Sequence, residues 1–181
     1  MPFTKTTIPD LLIYEPRVFE DPRGYFFESY NANTFLADGV EIKFVQDNQA
    51  KSSYGVIRGL HYQLAPYAQT KLIRVLSGAI LDVAVDIRKG SPTYGQVFTI
   101  ELTAENKKQL WIPEGFAHGF VVLSDIAEVL YKTTNYWAPT HERCILWNDD
   151  SLQIDWKITK DPLLSKKDMD GIKFNMAEVF K

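Results

Sequence analysis

With 181 residues, 45% of them apolar and 24% charged, the chain has globular composition and the length of one domain, about 100–200 residues being usual. Folding at that length buries roughly 70% of the unfolded surface, so neither a metal nor a disulfide is needed to hold a core. Twenty basic against twenty-three acidic residues give a net charge of -3, which excludes a general polyanion or nucleic-acid binder, because that affinity comes from surplus Lys and Arg.

In chain order, residues 24–30 (GYFFESY) predict the first strand and Ala32–Leu36, after Asn31, a short helix. Strands follow at 55–63 (GVIRGLHYQ), 70–76 (TKLIRVL) and 79–87 (AILDVAVDI), all rich in β-branched and aromatic residues. In the last of these Leu81, Val83, Val85 and Ile87 share one face, and Asp82, Ala84 and Asp86 the other. Residues 97–102 alternate in the same way, and 109–112, 119–123 and 127–133 continue the series. Turn signals at Ser77-Gly78, Lys89-Gly90-Ser91-Pro92 and Glu105-Asn106 separate the strands. A second helical candidate begins at about Pro162. The expected fold is one all-β domain over residues 1–181, a closed antiparallel double sheet with a few short helices.

No apolar run approaches the ~18 residues of a membrane helix. The N-terminal stretch lacks the basic-then-apolar layout of a secretory signal. The single Cys144 lies in the apolar stretch Cys144-Ile145-Leu146-Trp147 and reads as a buried thiol of a reduced compartment. The expectation is a cytoplasmic protein with no membrane partner.

Chemistry concentrates around two histidines beside glycines, His61 in Arg58-Gly59-Leu60-His61-Tyr62-Gln63 and His118 in Pro113-Glu114-Gly115-Phe116-Ala117-His118-Gly119. Glycine there suggests backbone passing close to another group. Pro-x-Gly-x-x-His is also the second half of the cupin metal motif, so the fold resembles a cupin-like double-stranded β-helix, or jelly roll. The first half departs from that motif: His61-x-Gln63 replaces His-x-His, and Lys71 stands where the motif has its Glu. An ammonium cannot ligate a divalent ion, and two imidazoles with an amide make a poor site. No metal or other cofactor is expected. Lys71 shares a face with Ile73 and Val75, and an inward lysine needs an anionic partner.

Seven blocks in register resemble the dTDP-4-dehydrorhamnose 3,5-epimerase family. They are residues 21–29 (DPRGYFFES), 44–48 (FVQDN), 58–63 (RGLHYQ), 83–88 (VAVDIR), 111–120 (WIPEGFAHGF), 130–132 (LYK) and 165–168 (SKKD). The resemblance implies epimerisation of a dTDP-4-keto sugar at C3 and C5. It implies His61 as base paired with Asp168, Lys71 as stabiliser of the enolate oxygen, and Tyr131 as the proton donor on the opposite face. Without the resemblance, Asp168 would read as a solvated helix-terminal acid.

The same resemblance assigns substrate contacts to Arg23 and Arg58 at the diphosphate, and to Gln46, Asp47, Asn48 and His118. Phe26 and Glu28 would meet the nucleoside, Tyr136 and Trp137 the thymine, and Glu142 and Lys167 the remaining contact positions. It further implies a homodimer, in which residues 23–28 complete the neighbouring cavity. A single-site epimerase or a 3,4-ketoisomerase on the same nucleotide is the alternative; a non-catalytic sugar-binding barrel and a metal-dependent cupin oxygenase are the more distant readings.

Overall fold

The computed structural model describes residues 2–181. Its strands are β1 (Phe3–Lys5), β2 (Leu12–Tyr14), β3 (Phe19–Asp21), β4 (Gly24–Phe26), β5 (Gln46–Ser53), β6 (Ile57–Gln63), β7 (Lys71–Ser77), β8 (Ala79–Asp86), β9 (Val97–Thr103), β10 (Gln109–Ile112), β11 (Phe116–Val122), β12 (Ile126–Thr133) and β13 (Glu142–Cys144). Helices α1 (Ala32–Ala37) and α2 (Lys166–Met169) are short, and a single 3-10 turn spans Phe174–Met176. One antiparallel sheet runs β1-β2-β10-β7-β12-β5, a second runs β13-β6-β11-β8-β9, and β3-β4 forms a separate hairpin. This is the expected all-β jelly roll.

Strand alternation sorts the side chains into three apolar layers. Ile73 and Val75 of β7, Ile80 and Ala84 of β8, Leu110 and Ile112 of β10, and Val129 of β12 meet between the sheets. The opposite face of β8, with Leu81, Val83 and Val85, packs outward against Leu152, Trp156, Phe174 and Phe180 of the C-terminal segment. The fully apolar face of that strand is therefore turned away from the barrel interior, and the interior receives Asp82. On the far side, Tyr14, Leu72 and Trp111 hold Phe35 of α1, which is fully buried. Complete burial of such a ring stabilises by roughly 1.5–3 kcal/mol, enough to fix a six-residue helix capped by Asn31.

Several expectations change in detail. The strand expected over 24–30 ends at Phe26, because Tyr30 turns to stack on Phe35 and Phe44 ahead of the Asn31 cap. The helix expected from about Pro162 is confined to Lys166–Met169, where Ser165 and Asp168 form a reciprocal capping box. Strands β1, β2, β3, β5 and β13 were not anticipated; four of them are only three residues long, and β5 (QDNQAKSS) is almost wholly polar.

One irregularity positions the interior chemistry. β11 and β6 pair His118 with His61 and Phe120 with Arg58, so β6 spends three residues where β11 spends two. In a regular strand, residues three apart face opposite ways. The bulge at Gly59-Leu60 restores Arg58 and His61 to the same inner side. It requires close backbone contact: a Cβ on Gly59, whose φ is +135°, would lie 2.4 Å from the Gly119 Cα. Backbone cannot yield as a flexible side chain can. Gly59→Ala should therefore cost about 2–3 kcal/mol or more, read as a lowered urea midpoint at unchanged denaturant slope, with Gly90→Ala, where space is open, as the mild control.

Candidate active site

A cavity of about 380 Å³ opens between the two sheets, within the size range of small-molecule sites. Its lining brings together Gln46, Asn48, Arg58, His61, Lys71, His118, Tyr131, Trp137, Glu142, Lys167 and Asp168. His61 and His118 project from the five-stranded sheet, Lys71 and Tyr131 from the six-stranded one. An imidazole and a phenol thus stand on opposing walls of one chamber.

The His61 wall is set by a carboxylate from the far end of the chain. Asp168 is 3% exposed and its Oδ1 lies 2.7 Å from His61 Nε2, within ion-pair reach though out of line for a hydrogen bond. The same oxygen accepts the Gly59 N–H at 3.1 Å, and Oδ2 accepts the Ser165 hydroxyl at 2.6 Å. Burial pushes the Asp168 carboxyl up, but His61, Ser165 and the Gly59 N–H outweigh it and bring it down to about 2. Burial lowers the His61 pKa below its ordinary value; Asp168 opposes that, while Lys167 and Lys71 reinforce it. The ring is therefore neutral at physiological pH and holds a lone pair for a proton.

Lys71 is almost fully buried, and its Nζ donates to the His61 carbonyl at 3.4 Å. Among the described residues no carboxylate stands within ion-pair distance of it, so the anionic partner expected for an inward lysine is not supplied by the chain itself. Burial lowers its pKa to about 8, against the opposing pull of Glu142 and Asp82. A cation held dry and unpaired beside the imidazole is suited to an oxygen that gains charge during reaction. Burial raises the Tyr131 pKa, which keeps the phenol protonated and able to donate.

The remaining lining is ordered by pairing. His118 Nε2 contacts both oxygens of the fully buried Asp82, at 3.0 and 3.1 Å. Glu142 holds Lys167 Nζ at 2.6 Å and accepts the Trp137 indole N–H at 3.3 Å. Gln63, the amide in place of a second motif histidine, is spent on structure: it donates to the Tyr67 and Tyr136 carbonyls and accepts the Ala138 N–H.

Five of the expected contact residues lie outside this chain's cavity. Asp47 alternates to the outer face of β5, where it pairs with Lys132 at 3.0 Å, whereas its neighbours Gln46 and Asn48 face in. Tyr136 is 66% exposed beyond the rim. Arg23 and Phe26 sit on the detached β3-β4 hairpin, Arg23 bound to Asp21, and exposed Glu28 follows it. Sequence reasoning in turn missed Asp82, Ser165 and Cys144. The first two had signals: Asp82 is a charged residue at an inward position of a clean alternation, and Ser165-x-x-Asp168 carries the spacing of a capping box. Cys144 is half-buried and pairs with His61 in the β13-β6 register, so it faces the same side of the sheet, and burial pushes its thiol up to about 12.

A jelly roll whose cupin-motif positions hold His61, Gln63, Lys71 and His118, and whose cavity also holds Tyr131, is the architecture of a cupin-like epimerase. The chain matches the family model described as dTDP-4-dehydrorhamnose 3,5-epimerase over residues 5–176. A dTDP-4-dehydrorhamnose 3,5-epimerase from Pseudomonas aeruginosa is 58% identical over 181 residues, 99% of each chain. The structure of a dTDP-6-deoxy-D-glucose-3,5-epimerase from Legionella pneumophila in complex with dTDP-4-keto-L-rhamnose superposes with TM-score 0.93 at 46% identity, over 97% of this chain and 94% of that one. ChmJ, a 3'-monoepimerase from Streptomyces bikiniensis in complex with dTDP-quinovose, gives 0.89 at 32% identity, over 94% and 86%. The chain belongs to the dTDP-4-dehydrorhamnose 3,5-epimerase family.

The Asp168 pairing makes a stability prediction. A carboxylate whose folded pKa is depressed stabilises the fold above its unfolded pKa, and that contribution fades as pH falls through the folded value. Asp168→Asn should lower the urea midpoint most at pH 6, and the gap from the parent should narrow as pH falls from about 4 towards about 2. A gap independent of pH would show that the charge of Asp168 contributes nothing.

Proposed function

We propose that this chain catalyses 3,5-epimerisation of dTDP-4-dehydro-6-deoxy-D-glucose to dTDP-4-dehydro-L-rhamnose, with residues 1–181 acting as one cupin-like domain. The observation that carries the reading is the opposition of His61 and Tyr131 across one chamber with Lys71 beside them. The C4 ketone acidifies the hydrogens on C3 and C5. His61 takes one as a proton, and the C–H electron pair moves onto the ketone oxygen to give an enolate beside the Lys71 ammonium. When the enolate collapses, carbon receives a proton from the Tyr131 hydroxyl on the other face, and the centre is inverted. Solvent reprotonates the phenolate and discharges the imidazolium before the second centre reacts. Asp168 steadies the imidazolium during the interval, as a carboxylate does in a triad.

Binding divides by charge. Arg58 takes the diphosphate, for which a planar guanidinium is suited, and Trp137 offers an aromatic face to thymine. His118, held by Asp82, reaches the sugar near the ketone, and Gln46, Asn48, Glu142 and Lys167 complete the hydrogen-bonding wall. Arg23, Phe26 and Glu28 serve the cavity of a second copy in a homodimer. Exposure of Phe19, Tyr25 and Phe26 on and around the hairpin supports that arrangement.

Turnover in deuterated water should place deuterium at both C3 and C5 of the product, read by NMR; label at one carbon alone would make this a single-site enzyme like the 3'-monoepimerase it resembles in fold. His61→Ala should abolish exchange, with a rate loss of about 100-fold or more, while binding dTDP nearly as well as the parent. An equal loss of binding and exchange would make His61 a binding residue.

The pH profile tests the cation. His61 must be neutral, so kcat/KM falls on the acid side; Lys71 must be charged, so it falls again as pH rises through about 8. In Lys71→Arg the alkaline fall should move to higher pH. An alkaline limb that stays in place assigns it to another group.

A further inference from the structure

Cys144 is a thiol beside the cavity-lining His61 that the proton-transfer scheme leaves unused. Its place follows from register. Cys144 of β13 is the direct partner of His61 on β6, so both side chains leave the same face of the sheet. Asp168 reaches the pair on α2, and one donor atom from each of His61, Cys144 and Asp168 lies within 4.8 Å of the other two. His61 Nε2 is buried and lacks an aligned hydrogen bond despite its 2.7 Å approach to Asp168. This trio shares only His61 with the cupin positions, of which Gln63 is occupied by backbone groups and His118 by Asp82.

We propose that His61, Cys144 and Asp168 form an inhibitory site for a thiophilic divalent cation of the Zn²⁺ class. Imidazole, thiolate and carboxylate are all accepted by Zn²⁺, and three protein ligands leave a fourth position open to the cavity. Bond lengths of ~2.0–2.3 Å place tetrahedral ligand atoms roughly 3.3–3.6 Å apart. The His61–Asp168 contact must therefore open by roughly 0.6–0.9 Å and the thiol close by at most about 1.5 Å, movements within the reach of side-chain rotation. The thiol proton leaves to solvent as the metal–sulfur bond forms. Thiolate and carboxylate then supply two negative charges against the dication, while Lys71 and Lys167 nearby oppose it, so the site binds less tightly than a closed structural one.

Coordination through Nε2 leaves the ring's single proton on the other nitrogen, and neither can then accept another. That inhibitory consequence rests on His61 being the base; the binding does not.

Cobalt chloride added to the purified protein should give a near-ultraviolet thiolate-to-Co²⁺ charge-transfer band and the visible bands of tetrahedral cobalt. Both should vanish in Cys144→Ser and in Cys144→Ala, a second thiol-free variant should the first be poorly folded. In parallel, zinc chloride should inhibit the parent enzyme, and Cys144→Ser, with basal turnover retained, should need at least about tenfold more zinc for the same loss. Absence of a sulfur band, or equal zinc sensitivity of parent and thiol-free proteins, overturns the site. A sulfur band without loss of turnover upholds the site and removes His61 as the base.

Discussion

The buried carboxylate of Asp168 joins the fold to the chemistry. It takes the Gly59 N–H at the bulge of β6 and the Ser165 hydroxyl at the head of α2, and stands 2.7 Å from the His61 ring. Each partner meets a different need: the bulge would otherwise leave a backbone donor unsatisfied, the short helix would lack its cap, and the imidazole would lack a counter-charge. A buried carboxylate is expensive to desolvate unless such partners surround it. Two of them on β6 and one at the head of α2 hold its pKa far below the usual range, so the group stays ionised where burial alone would neutralise it.

From that anchor the division of labour between the sheets follows. The five-stranded sheet is apolar on its outer face, where it packs the C-terminal segment, and on its inner face it sets His61, His118 and Asp82 among apolar core residues. The six-stranded sheet contributes Lys71 and Tyr131 to the same space. Neither sheet alone holds both an acceptor and a donor of protons. In the proposed reaction, facing them across a gap of ligand dimensions would let one carbon be deprotonated and reprotonated on opposite sides, with the unpaired Lys71 beside the oxygen that becomes negative.

Much of the architecture was legible in the residues. Alternation through 79–87 and 97–102 marked central strands, and glycine beside His61 and His118 marked a close backbone approach. What escaped has definite physical causes. The polar run 46–53 forms a strand because it pairs with β12 over eight residues, a tertiary effect absent from local propensity. Alternation within it, once known, separates inward Gln46 and Asn48 from outward Asp47. Arg58 and His61, three apart, converge only through a bulge that no periodicity announces. Asp168, a surface acid by local criteria, is buried because a segment more than a hundred positions away presents an N–H to it; only likeness to a known family brought it into the site beforehand.

The distance along the chain between the two halves of the dyad also orders its assembly. His61 and Asp168 are 107 residues apart, and the strands that carry His61, Lys71 and Tyr131 are complete by Thr133. A growing polypeptide therefore possesses the imidazole, the ammonium and the phenol well before the carboxylate has been synthesised. The His61–Asp168 pair therefore exists only once the C-terminal segment, which also closes the second apolar layer, is in place. A chain cut before Ser165 would keep His61, Lys71 and Tyr131 but lose the carboxylate beside the imidazole.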